Sequence, residues 1–199
     1  MVRTLAKDHD DKRQLILAGA AHVFASTGFD RASVSSVAQK CDISKANIYH
    51  YYASKNDILF DILETHLCSL RDTIFQSDSP DANPEERFLA TLTNILMAYS
   101  GADNEHKLQV NSLTQLPEDK QQILRGYQLE LVERLSGIIH AVAPDSFRKG
   151  GHDLRAITMS VFAMLNWYYM WDKKNDAPSR VKYAKTVFDL TLNGIRANV

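Results

Sequence analysis

Apolar residues in this chain recur at spacings of three and four, and nowhere do they alternate over the length of a strand. Such spacing puts one apolar stripe along a helix, whereas a half-buried strand needs a period of two. Ile16, Ala20, Val23 and Phe24 form the first stripe, and Gly28 follows as a left-handed C-cap. Val34, Val37, Ala38 and Cys41 repeat at i, i+3, i+4 and i+7 behind Ser33, a good N-cap residue. Ser44 is placed to cap a third short helix reaching Tyr51. Ser54 is placed to cap a fourth, with Leu59, Ile62, Leu63, His66, Leu67, Leu70 and Ile74 on one face. Residues 77–84 are rich in Ser, Asp and Pro and read as a linker. Beyond it, helices are expected over residues 84–99, 104–113, 117–143, 152–171 and 178–196. Pro117 would take a first helical position, and Pro144 and Gly150-Gly151 would act as breaks. The expected fold is all-α, with about nine helices, a three-helix helix-turn-helix head followed by a helical body.

Composition narrows the class. Hydrophobic residues make up 45% and charged residues 24% of the 199, which suits a folded soluble chain and excludes disordered or fibrous ones. The two cysteines, Cys41 and Cys68, cannot build a disulfide framework and fit a reducing compartment. The first residues are polar and charged, unlike a signal peptide. The most apolar stretch, residues 156–171, carries Thr158, Ser160 and Asn166 and falls short of the ~20 residues a bilayer requires. The expectation is a cytoplasmic protein with no membrane contact. The net charge of −1 is unevenly spread. Residues 1–55 hold eight Lys/Arg against five Asp/Glu, so the head is basic and the remainder mildly acidic. A basic head suits a polyanion.

The two short helices flanking Cys41-Asp42-Ile43-Ser44 have the size and tightness of a helix-turn-helix. The second offers Lys45, Ala46, Asn47 and His50 on its outward side, while Ile48 and Tyr52 can face the core. An α-helix fits the major groove of B-DNA. There Asn can pair with adenine, Lys can reach guanine, and Ala can touch a thymine methyl. Tyr49, Tyr51 and Lys55 supply hydroxyl and ammonium donors suited to phosphates. Spacing alone leaves a second reading open, in which this polar helix merely caps an α-bundle.

Residues 13–62 resemble the N-terminal domain of the TetR (tetracycline-repressor) family of transcriptional regulators. The resemblance rests on Ile16 with Ala20-Ala21 and Phe24, Gly28-Phe29, Ser33-Val34, Val37-Ala38, Ile43-Ser44, Ile48-Tyr49, and Tyr51-Tyr52-Ala53-Ser54-Lys55 before Leu59, in order and without gaps. It implies that Tyr49, Tyr51 and Lys55 bind backbone phosphates and that Ser33 caps the second helix and touches phosphate. It also implies that Ser35, Lys45, Ala46, Asn47 and His50 face bases. Asp42 stands where the family often has Gly, and Ala46 and Asn47 where Gly or Pro and Thr are frequent. The resemblance further implies residues 1–55 as a DNA-binding domain and 56–199 as a ligand-binding and dimerisation domain. The homodimer would form through the two terminal helices, with Tyr183, Val187, Leu190, Thr191 and Gly194 on one side of the last. Two recognition helices one DNA turn apart, roughly 34–36 Å, read a near-palindromic operator.

In the body, Ser160, Met164, Trp167 and Trp171 share one helical face. That face suits either ordinary core or the wall of an apolar ligand site. Leu165-Asn166-Trp167 followed by Trp171 resembles the same helix in family members that respond to acyl-CoA thioesters in fatty-acid and aromatic-acid degradation. That resemblance implies a small apolar effector, an acyl-CoA. The residues expected to meet it are His66, which could equally be a satisfied core histidine, with Met97, Tyr127, Met164, Trp167 and Trp171. Arg125, Arg134, Lys173 or Lys174 would meet the phosphates. Asp172 and the run Lys173-Lys174-Asn175-Asp176 depart from the pattern that follows the second Trp in those relatives. Another effector class, such as an efflux or quorum signal, and a helical adaptor without DNA binding are the alternatives. An enzyme is not expected, because no Gly-rich phosphate loop, G-x-S-x-G or H-E-x-x-H is present. The seven histidines lie scattered, so neither a metal nor a cofactor is expected. Asp61 and Glu64, beside His66, are expected to be solvated.

Overall fold

The computed structural model describes residues 2–143, 145, 147, 153–172, 174 and 176–196, and among these it is all-helical. In chain order the helices are α1 (Val2–Thr27), α2 (Val34–Lys40), α3 (Lys45–Tyr51), α4 (Lys55–Ser77), α5 (Pro84–Ala98), α6 (Asp103–Ser112), a 3₁₀ turn (Leu113–Gln115), α7 (Glu118–Val142), α8 (Leu154–Trp171) and α9 (Ala177–Arg196). Contacts divide the chain into two compact units, residues 1–66 with 104–124, and residues 67–103 with 125–199. The expected breaks at Pro144 and Gly150-Gly151, and the expected helix start at His152, lie outside the described residues.

Local chemistry sets most helix ends. Gly28 ends α1 at φ 85°, a conformation glycine reaches without steric cost. Ser33 and Ser54 each accept an N–H from the residue three positions on, Ser36 and Asp57. Asn83, with Pro84 behind it, caps α5, and Asp153 caps α8 through the Ala156 N–H. Pro117 precedes α7 rather than opening it. Its carbonyl accepts the Gln121 N–H, so it stands at the cap and not at the first helical position.

The first unit packs Ile16, Ala20, Ala21 and Phe24 of α1 with Val37 and Ala38 of α2, Ile48 of α3, and Ile58, Leu59, Ile62 and Leu63 of α4. The approach of α1 to α2 requires Gly19, because a Cβ there would lie 2.3 Å from Cys41 Sγ. Burial pushes the Cys41 thiol up, so the group stays protonated and packs as a small apolar side chain. Lys107 of α6 donates to the Ala25 carbonyl at 2.7 Å, and Lys120 of α7 pairs with Asp57 of α4. In the second unit, α9 packs on α5 and α8, with the Phe88 and Phe188 rings 5.5 Å apart. Asp78 departs from the linker expected over residues 77–84. Its carboxylate is fully enclosed and pairs with Arg87 and Arg134, which hold it below the usual carboxylate range.

Candidate nucleic-acid interface

The geometry of the head begins at Ser33. Its side chain accepts the Ser36 N–H at 3.1 Å while the Ser36 hydroxyl accepts the Ser33 N–H at 3.0 Å, a reciprocal capping box. At the other end of α2 the Ile43 N–H reaches back to the Ala38 carbonyl at 3.0 Å, and the Asp42 N–H to Gln39 at 3.3 Å. Those two bonds form a Schellman turn, which needs a left-handed residue at Asp42. Asp42 takes φ 54°, the one positive φ outside glycine among the described residues. The short Asp side chain tolerates that conformation, so the turn closes without a glycine. Ser44 then accepts the Asn47 N–H at 3.1 Å and starts α3.

Burial around α3 follows its helical phase. Ile48 is fully buried and Tyr52 nearly so. Lys45, Ala46, Tyr49 and His50 are exposed, as are Ser33 and Ser35, while Asn47, Tyr51 and Lys55 are half-buried. The nine residues assigned to DNA therefore all keep solvent access, and the two assigned to the core are in it. The Tyr52 hydroxyl donates to Asp61 Oδ2 at 2.6 Å, and Arg13 Nε donates to the same oxygen at 2.9 Å. Asp61 thus ties α1, the end of α3 and α4 together instead of being solvated as expected. Burial, and then the bond to Asp61, push the Tyr52 hydroxyl above its ordinary range.

Lys55 departs from the picture of a free phosphate ligand. Its Nζ donates to the carbonyls of Phe29 at 2.7 Å, Ala32 at 3.1 Å and Asp30 at 3.3 Å, and stands 4.3 Å from the Phe29 ring centroid. An ammonium has three protons, so the loop between α1 and α2 takes up its donors while its charge stays near the surface.

The residues assigned to an effector fall in both units. His66 lies in the first unit, is 8% exposed, and faces His106 of α6 with ring centroids 6.1 Å apart. Burial, then His106, lower its pKa to about 4, so it is neutral at physiological pH. Met97, Tyr127, Met164, Trp167 and Trp171 lie in the second unit. There Trp167 is 57% and Trp171 54% exposed, because α8 turns Thr158, Val161, Phe162, Leu165 and Tyr168 inward instead. Tyr127 is half-buried under the Arg71 guanidinium, 5.2 Å from its ring centroid, and Met97 is exposed. Of the cations proposed for phosphates, Arg134 is engaged with Asp78, Arg125 and Lys174 are exposed, and Lys173 lies outside the described residues.

The outward side of α8 and α9 carries shallow grooves. One, of about 300 Å³, is lined by Ser160, Met164, Leu190 and Gly194. Another of about 300 Å³ runs past Trp171, Lys174, Lys182 and Tyr183. Leu190 and Gly194 are exposed as a contact face requires, but Val187 and Thr191 of the expected stripe are buried in their own unit.

Several residues that shape these regions were missed by sequence reasoning. Arg180 is 1% exposed, donates to the Leu96 carbonyl at 2.7 Å and lies 5.3 Å from the Tyr168 ring centroid. His106, Asp78 and Asp61 likewise act through partners far away in sequence. No local spacing marks such residues. Among the described residues no group of three or more His, Cys, Asp or Glu could hold a metal ion. None of their helices is long and apolar enough to cross a membrane.

Comparison with known proteins agrees with this geometry. The family model "Bacterial regulatory proteins, tetR family" matches residues 16–62, and "Tetracyclin repressor-like, C-terminal domain" matches residues 81–195. A TetR-family transcriptional regulator from Bordetella parapertussis superposes with a TM-score of 0.84 at 31% identity, over 94% of this chain and 96% of that one. The fatty acid metabolism regulator protein of Bacillus subtilis is 23% identical over 95% of this chain and 98% of its own. AibR, solved in complex with isovaleryl coenzyme A and operator DNA, shares the fold with a TM-score of 0.76 at 20% identity, over 89% of this chain and 96% of that one. These relatives are regulators and not enzymes. With a helix-turn-helix at its head and a matching C-terminal body, the chain belongs to the TetR family of ligand-responsive, DNA-binding transcriptional regulators.

Proposed function

We propose that the chain is a homodimeric repressor, with residues 1–55 on a near-palindromic operator and residues 56–199 sensing an acyl-CoA effector. The observation that carries this reading is the phase of α3, which buries Ile48, leaves Lys45, Ala46, Tyr49 and His50 exposed, and leaves Asn47 half-exposed. Asn47, Lys45, Ala46, His50 and Ser35 read base edges, and Tyr49, Tyr51 and Ser33 donate to phosphates. Lys55 contributes charge to the phosphates while its protons hold the loop before α2. The effector class is supported by the fatty acid metabolism regulator among the relatives and by the isovaleryl coenzyme A held by AibR. In this reading Met97 and Tyr127 of the second unit offer apolar surface to the effector. Met164, Trp167 and Trp171 belong to the dimer seam of α8 and α9, since both indoles are half-exposed on a single chain.

An effector that prefers the form incompetent for DNA drains the bound state in proportion to its differential affinity. The test is fluorescence anisotropy on DNA from upstream of the chain's own gene, with random DNA as control, before and after adding a series of acyl-CoAs. Selective binding released by one acyl-CoA is expected. Selective binding that no acyl-CoA releases rejects the effector class and leaves the regulator intact.

A further inference from the structure

We propose that His9, in the first part of α1, belongs to the DNA-binding surface and adds charge to the phosphate contact of Tyr51. This rests on α3 being the recognition helix. The His9 and Tyr51 rings lie 4.6 Å apart between centroids at 37°, and His50 meets Tyr51 edge-on at 5.5 Å. Two imidazoles therefore touch one phenol at the C-terminal end of α3. The His9 side chain is 55% exposed, and His50 is exposed as well. A phosphate accepting from Tyr51 would stand within a few ångströms of both.

Charges of both signs stand near His9, and its side chain keeps solvent access beside them. On α1, Asp10 Oδ1 is 4.0 Å from His9 Nδ1, and Lys12 is exposed. Arg13, a turn further on, is committed to Asp61 of α4. On α3, Tyr51 faces His9 and His50 meets the same Tyr51 ring, while Lys45 is at the other end of the helix, over the Tyr49 ring at 5.6 Å. Imidazole is the side chain whose charge changes between pH 5 and 8. A phosphate beside it favours the protonated form. Proton binding and DNA binding then reinforce each other, so operator affinity rises as pH falls through that range.

A packing role and a charge role separate cleanly. His9→Phe keeps a ring against Tyr51 and removes the proton, and His9→Gln removes both the ring and the charge. Operator and random-DNA affinities are measured at pH 6.0 and pH 8.0 at one ionic strength, for the natural chain, both His9 variants and His50→Phe. The natural chain is expected to bind its operator more tightly at pH 6.0, by roughly three- to tenfold. His9→Phe is expected to match it within about twofold at pH 8.0 and to lose much of that gain, with a salt dependence at pH 6.0 shallower by up to about one unit per head. His50→Phe is expected to keep the share of the gain that His9 supplies. A full pH gain in both His9 variants, or an equal loss by His9→Phe at both pH values, overturns the assignment while leaving α3 as the recognition helix. No selective binding by the natural chain at either pH overturns both readings together.

Discussion

Single positions in the turn and on α3 carry separable tasks. Asn47 has its backbone N–H held by Ser44, which leaves its amide side chain for a base. Asn47→Ala is expected to cost ~1–3 kcal/mol on the operator and to relax preference at one base pair. Binding to a set of operators varied one position at a time checks this, and an equal loss on specific and random DNA would rule out base reading. Asp42 does a different job. It holds φ 54° without a glycine, and the strain of that conformation remains in the folded chain. Asp42→Gly relieves it but gives the unfolded chain more freedom, so a net stabilisation of about 0.5 kcal/mol is expected. Thermal unfolding of the two proteins reads the difference, and the opposite sign would mean the Asp side chain is itself holding the turn.

Among the helices, those with local boundary chemistry were the most legible in sequence. Ser33, Ser44, Ser54 and Gly28 each act on groups within a few residues, so their roles follow from spacing alone. The phase of α3 was equally clear, because Ile48 and Tyr52 stand four apart on the face opposite the polar residues. The phase of α8 was not. That helix carries large apolar side chains all round, and its sequence does not say which side turns inward. The partners of Asp61, Asp78 and Arg180 lie elsewhere in the chain, and one sequence holds no record of them. His66 shows how such a contact becomes measurable. Its folded-state pKa is about 4, set by burial and then by His106, against an ordinary 6.5 in the unfolded chain. Between those values the unfolded chain binds the extra proton. Stability is therefore full above pH 6.5 and falls as the pH drops toward 4, by on the order of 3 kcal/mol if His66 alone titrates. Denaturant unfolding at pH 7 and pH 5 is expected to show about 2 kcal/mol of that loss in the natural chain and a smaller one in His66→Gln. An identical loss in both would assign the proton to another group.

For the molecule as a whole, the outward side of α8 and α9 is the strongest pointer to a second copy. Trp167, Met170, Trp171 and Leu190 are each more than half exposed on the single chain, an unusual load for two consecutive helices. Gly194 adds a position where a Cβ would meet nothing within 4 Å, which leaves room for another helix to approach. A regulator that grips two half-sites gains affinity from the second contact only while the two heads stay joined. Leu190→Asp tests this with little risk to the fold, because a side chain 62% exposed contributes little to its own unit. The variant is expected to keep the helical circular dichroism of the natural chain, to sediment as a monomer, and to lose operator affinity by about tenfold or more at protein concentrations where the natural chain is dimeric. Both tryptophans of the chain lie on this face, so their emission should shift to longer wavelength as they pass from a covered seam to water. A variant that stays dimeric with unchanged emission would move the seam away from Leu190. A monomer that still bound the full operator with natural affinity would show that pairing is not what gives the regulator its grip.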